Sequence, residues 1–154
     1  MSDVPLHPAG FAGVEATMLL AESHYPTVTA LRDIARASGL NTRVVTNGPQ
    51  VLEVLRHHTP ALVVLSAELE TVNGFEVCSR MKLIKRLRSV PVLLLSNTID
   101  ARVIDASAIV HADGLLGKPV QPTEAHEFVM RLTRPKVYGT NLTQPLRVLQ
   151  VVTH

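Results

Sequence analysis

The side chains able to do chemistry stand where short apolar runs end. Glu22 and Ser23 follow Met18-Leu19-Leu20-Ala21, and Ser66 follows Leu62-Val63-Val64-Leu65. Ser96 follows Val92-Leu93-Leu94-Leu95, and Lys118 follows Leu115-Leu116-Gly117. Brought together, they offer one carboxylate, one ammonium and three hydroxyls. A serine hydroxyl becomes a nucleophile only beside a base, and none stands at these run ends. A hard divalent cation wants several anionic oxygens, and Glu22 supplies one group alone. Glu22 and Lys118 cancel in charge, so nothing in the set demands a cation. An unpaired ammonium near a core is costly. A Glu22–Lys118 ion pair, direct or water-bridged, is therefore expected, with the Ser66 and Ser96 hydroxyls close by.

Those residues need a scaffold that points the runs one way. The apolar runs are Thr17–Ala21, Thr42–Thr46, Ala61–Leu65, Val90–Leu95 and Gly114–Leu116. The third and fourth contain Leu62-Val63-Val64-Leu65 and Val92-Leu93-Leu94-Leu95, continuously apolar as central parallel strands covered on both faces are. Between the runs lie stretches with helical spacing. Val28, Leu31, Ile34 and Ala35 mark a helix over Pro26–Ser38. Val51, Leu52 and Leu55 mark Pro49–His57. Val77, Cys78, Met81 and Ile84 mark Phe75–Leu87, with those side chains turned to the core. Ile99–Val110 and Pro122–Leu132 supply two more. Strict alternation implies parallel strands joined by right-handed helical crossovers. The expected fold is α/β: a doubly wound, flavodoxin-like (βα)5 three-layer sandwich with sheet order 2-1-3-4-5. In such sheets a site forms beyond the carboxyl ends of the central strands, where the chemistry-bearing residues stand.

Composition removes several alternatives. The 154 residues suit one domain, read here as residues 16–134, with a flexible leader at 1–15 and an extension at 135–154. In the extension, Leu146–Val152 reads as a strand. It could pair with a sheet edge, pair with another chain, or begin a further domain. A net charge of +2 and 3% aromatics argue against a nucleic-acid platform. One cysteine, Cys78, excludes an internal disulfide and a multi-Cys zinc site, and suits a reducing cytoplasm. Cys78 is expected to pack as a small hydrophobe. His57 and His58 suit the end of the second helix. No apolar window is long enough to span a bilayer.

The run-end motifs, taken in order, resemble the receiver domains of bacterial response regulators. Met18-Leu19-Leu20-Ala21-Glu22-Ser23 is similar to that family's first strand and acidic pair. Ala61–Ser66 resembles the third strand, which there ends in a phosphoacceptor Asp. Asn73-Gly74-Phe75-Glu76 resembles the Asp-Gly-Phe-Glu start of the third helix. Pro91–Ser96 ends in the hydroxyl residue kept in the family, and His111–Pro119 resembles the fifth strand with its Lys-Pro ending. The match runs from about Ala16 to Arg134.

The departures carry the functional reading. Ser66 stands at the phosphoacceptor position, and Ser23 where the family has a metal-ligating acid. Glu22 is what remains of three acids. The resemblance thus implies a vestigial phosphorylation pocket of Glu22, Ser23, Ser66, Ser96 and Lys118. No Mg²⁺ or other cofactor is expected, and no catalysis. A cis Lys118-Pro119 bond is expected. Leu115 stands where the family often has an aromatic switch residue, and Glu70 replaces a common loop proline. A constitutive conformation and an unusual loop path are the expectations.

The implied function is a protein-binding module in bacterial signalling, with cell polarity or motility as settings by analogy. Its partner, or a second copy, would dock on the fourth helix, fifth strand and fifth helix, through Ile104, Ala108 and Leu115. No nucleic acid and no membrane insertion are expected. The alternatives are a regulator phosphorylated unconventionally, for example on Ser66, and a binder of a small ligand in the carboxyl-edge crevice. The cations along and beyond the third helix, from Arg80 to Arg88, are expected to form a solvated face.

Overall fold

The computed structural model describes residues 14–134 and the backbone of 150–152. Residues 1–13 of the expected 1–15 leader, and 135–149 and 153–154 of the extension, lie outside the described residues. The strands are β1 (Glu15–Ala21), β2 (Asn41–Val45), β3 (Pro60–Ser66), β4 (Val92–Ser96), β5 (Gly114–Gly117) and β6 (Gln150–Val152). The helices are α1 (Tyr25–Ala37), α2 (Gly48–His57), α3 (Gly74–Lys82), α4 (Ala101–Ile109) and α5 (Pro122–Thr133). All strands pair in parallel, in the order β2-β1-β3-β4-β5-β6. The expected 2-1-3-4-5 sheet is present, extended at one edge by β6.

Alternation along each strand sends side chains to two cores. Met18, Leu20, Leu62, Val64, Leu93, Leu95 and Leu116 pack with Leu31 and Ile34 of α1 and Phe128 and Val129 of α5. Leu19, Ala21, Val63, Leu65, Leu94 and Leu115 face Val51 and Leu55 of α2 and Val77, Cys78 and Met81 of α3. Burial of each such leucine contributes roughly 1.5–3 kcal/mol. Cys78 is fully buried, as its neighbours require.

Four readings of the sequence need correction. Glu15 belongs to β1, not to a leader: it pairs with Pro60, and its carboxylate lies 2.8 Å from Nδ1 of His58. The third helix stops at Lys82, well short of Leu87. Beyond it the chain runs in tight turns, with Leu83, Ile84, Leu87 and Val90 each donating to the carbonyl three residues back. That change of winding turns Ile84 outward, so it is not a core residue. Leu115 is fully buried beneath α3 and α4 and contributes no surface. The outer edge of β5 is paired with β6, which is the first of the three paths open to the extension strand.

Candidate functional site

β1, β3, β4 and β5 end side by side, which sets Glu22, Ser66, Ser96 and Lys118 around one small space. Register fixes their level: Ala21 lies beside Leu65, Ser66 beside Leu95, and Ser96 beside Gly117. The Lys118-Pro119 peptide is cis.

Glu22 is almost wholly buried, yet every face of its carboxylate is satisfied. Oε2 accepts the backbone N–H groups of Ser23 (3.0 Å) and His24 (2.9 Å). Oε1 lies 3.0 Å from Nζ of Lys118. The expected pair is thus formed directly. Ser23 is exposed and joins the network through its backbone amide.

The Ser66 hydroxyl is equally engaged. It accepts from Nζ of Lys118 (3.3 Å) and from the backbone N–H of Glu68 (3.3 Å), and donates weakly to Oε1 of Glu68 (3.4 Å). Both lone pairs and the proton therefore have partners. Ser66 is 5% exposed.

The residue that sequence reasoning missed is Glu68. Its carboxylate turns into the space between β3 and β4. Oε2 accepts from the Ser96 hydroxyl (2.8 Å) and the Asn97 backbone N–H (3.2 Å), while Oε1 lies 3.7 Å from Nζ of Lys118. The pocket therefore holds two carboxylates and one ammonium, a formal charge of −1 rather than the expected zero. A carboxylate also stands beside Ser66, where none was expected. The Ser96 hydroxyl is held inward on this network. It donates within reach of both Glu68 and the Thr98 carbonyl, and accepts from the Thr98 N–H (3.2 Å).

Loop geometry explains how Glu68 gets there. After Ser66 the chain turns at once, and Thr71 adopts a left-handed conformation with φ 71°. The loop sits close on its supports. A Cβ at Gly74 would collide with the Ser66 carbonyl, and one at Gly48 with Val72. Asn73 then starts α3 by accepting the N–H of Glu76 at 2.9 Å. The loop between Ser66 and Asn73 is what delivers Glu68.

Of the three residues expected on a docking face, Ala108 is exposed and Ile104 is half-buried against the core. Leu115 is the one that is enclosed. Among the described residues, no group of three His, Cys, Asp or Glu side chains is placed to hold a metal ion. No described helix is long and apolar enough to cross a membrane.

Comparison with known proteins places this geometry in a family. The model of the response regulator receiver domain matches residues 18–130, which contain every pocket residue. The polar-differentiation response regulator DivK of Brucella anthropi is 30% identical over 80 residues, 52% of this chain and 65% of DivK. The transcriptional regulatory protein AfsQ1 of Streptomyces coelicolor is 32% identical over 105 residues, 68% of this chain and 45% of AfsQ1. The chain thus spans less than two thirds of the length of these relatives. Among solved structures, the signal receiver domain of a histidine kinase from Syntrophus aciditrophicus is 25% identical with a TM-score of 0.70. That match covers 86% of this chain and 97% of that one. The receiver domain of the sensor histidine kinase PA1611 from Pseudomonas aeruginosa, which has magnesium coordinated in its active-site cleft, shares the fold. It has a TM-score of 0.69 at 17% identity, over 78% of this chain and 98% of that one. The chain belongs to the response regulator receiver domain family of bacterial two-component signalling.

Proposed function

We propose that this receiver domain takes neither a phosphoryl group nor Mg²⁺, and works in the cytoplasm as a protein-binding module held in one conformation. The observation that carries the reading is the Glu68 carboxylate, seated among the Ser96 hydroxyl, the Asn97 amide and the Lys118 ammonium. Those donors suit an oxyanion, and the chain fills the position from within. A tethered anion there does continuously what a transient one would do on demand: it holds Ser96 inward.

The donor set argues against the metal. One Glu22 oxygen is spent on two backbone amides and the other on Lys118. Glu68 adds a carboxylate, but its oxygens face donors. With serines at positions 23 and 66, the residues present do not fit a divalent cation. The hydroxyl of Ser66 is a weak nucleophile, with its lone pairs directed to Lys118 and the Glu68 amide. Its burial also speaks against modification by a Ser/Thr kinase.

A partner would meet α4 from outside, at Ala108 and the half-buried Ile104. Leu115 is beneath that surface and β6 lies along the strand edge. The likeness to DivK makes cell polarity a reasonable setting.

The test is intact-mass spectrometry after incubation with acetyl phosphate and Mg²⁺. The expected outcome is no gain of a phosphoryl group. Stoichiometric phosphate on Ser66 would overturn the reading.

A further inference from the structure

The end of the sheet away from the pocket carries an unexplained surface. There α3 and α4 finish close together: the Cys78 thiol lies 3.4 Å from the Val110 carbonyl, and Nζ of Lys82 lies 3.5 Å from Oδ2 of Asp113. Between them opens a cleft of about 360 Å³ lined by Lys82, Arg88, Ser89 and His111. Leu83 follows Lys82 in the chain and Ile109 comes two residues before His111; they are 78% and 74% exposed, and Ile84 is exposed as well. Three large aliphatic side chains left in water on neighbouring helix ends form the kind of patch that marks an interaction site.

The charges just past α3 are mostly positive, while the exposed Asp105 stands one turn before Ile109 on α4. Arg80 is neutralised by Glu76, and Lys82 by Asp113. Lys85, Arg86 and Arg88 enter no ion pair among the described residues. Arg86 and Arg88 do make hydrogen bonds, but to neutral oxygens: Arg86 to the carbonyls of Leu55 and His58 and the hydroxyl of Thr59, Arg88 to the Lys82 carbonyl. Such bonds fix the guanidinium groups while leaving their charge uncompensated. His111 adds a further polar wall and has a left-handed backbone, φ 62°, at the end of α4.

We propose that this α3–α4 end is a docking surface for an acidic segment of a partner protein, one that carries a bulky apolar side chain between carboxylates. The apolar side chain covers Leu83 and Ile109 at the cleft. The carboxylates meet Lys85 and Arg88 at its rim, where charge complementarity speeds encounter and fixes register. A protein segment fits better than a flat anionic bilayer because the feature lined by Lys82, Arg88, Ser89 and His111 is concave. The inference deepens the binding-module reading and rests on it.

The experiment selects random dodecapeptides from a displayed library against the full chain. Enriched peptides are then titrated against the wild type and the double variant Lys85→Glu/Ile109→Ser, both exposed positions whose change spares the core. The expected result is enrichment of Asp and Glu with Leu, Ile or Phe, at least about tenfold weaker binding to the variant, and amide shifts at Leu83, Ile109 and His111. Peptides that bind both proteins equally, or that shift α4 and α5 away from this end, overturn the surface while the binding-module reading stands. No enrichment on any face overturns both. Co-sedimentation of the wild type but not the variant with phosphatidylcholine–phosphatidylglycerol vesicles, without peptide enrichment, assigns the patch to a membrane surface and overturns the proposal.

Discussion

Two lysine–carboxylate pairs sit at opposite ends of the same sheet, and they differ in what surrounds them. Lys118–Glu22 lies at the carboxyl ends of the strands, at 3.0 Å; Lys82–Asp113 lies at the other end, at 3.5 Å. All four side chains are at most 11% exposed. Lys82 also reaches the carbonyls of Arg88 and Val90, and Asp113 accepts the Val92 N–H at 2.7 Å. Those partners are backbone, so the pair ties the end of α3 to the starts of β4 and β5. Lys118 is instead ringed by side chains: Glu22, Ser66 and, farther off, Glu68. Backbone partners make a staple whose loss exposes fixed, unmet groups. Side-chain partners make a pocket whose contents can be exchanged by substitution.

Substitutions can break that contrast. The largest effect is expected of Asp113→Ala, which strips a buried ammonium of its counter-charge and orphans the Val92 N–H. Urea unfolding should show a loss of about 3–5 kcal/mol. Lys82→Met and Lys118→Met give the matched comparison. The first should lose about 3 kcal/mol, because Asp113 and two carbonyls lose a partner. The second should lose about 1–2 kcal/mol, because Glu22 keeps two amide donors. Equal losses would erase the distinction between staple and pocket. Glu68→Ala should lose about 1 kcal/mol or less, since its carboxylate is 43% exposed and screened. Its larger signature should be amide shifts at Asn97 and Thr98 as the Ser96 hydroxyl reorients. The smallest change is expected of Ser66→Ala, about 0.5 kcal/mol, because its hydrogen bonds are all long.

The strand ends were legible in the sequence because continuous apolar runs stop abruptly at polar residues, which places Glu22, Ser66, Ser96 and Lys118 at one level. The same continuity hid the facing of Leu115. In a strand buried on both sides, Leu115 and Leu116 look alike, and no polar alternation says which way either points. Glu68 was missed because it lies in a loop. Its role depends on a turn at Thr71 and the close support of Gly48 and Gly74, which no period announces. The early end of α3 was hidden as well. The spacing of Val77, Met81 and Ile84 continues as if helical, while the Arg86 bonds that tie the turn sequence to Leu55 and His58 join residues far apart in the chain. The extra strand was readable as a strand, but its place beside β5 required the fold.

The central claim is that Glu68 fills, from within, the seat an activating oxyanion would need. The direct measurement is an amide NMR titration of the full chain with beryllofluoride and Mg²⁺. The account predicts that the signals of Ser66, Asn97, Thr98 and Lys118 stay in place. Saturable shifts at those four positions in the unaltered protein would contradict it.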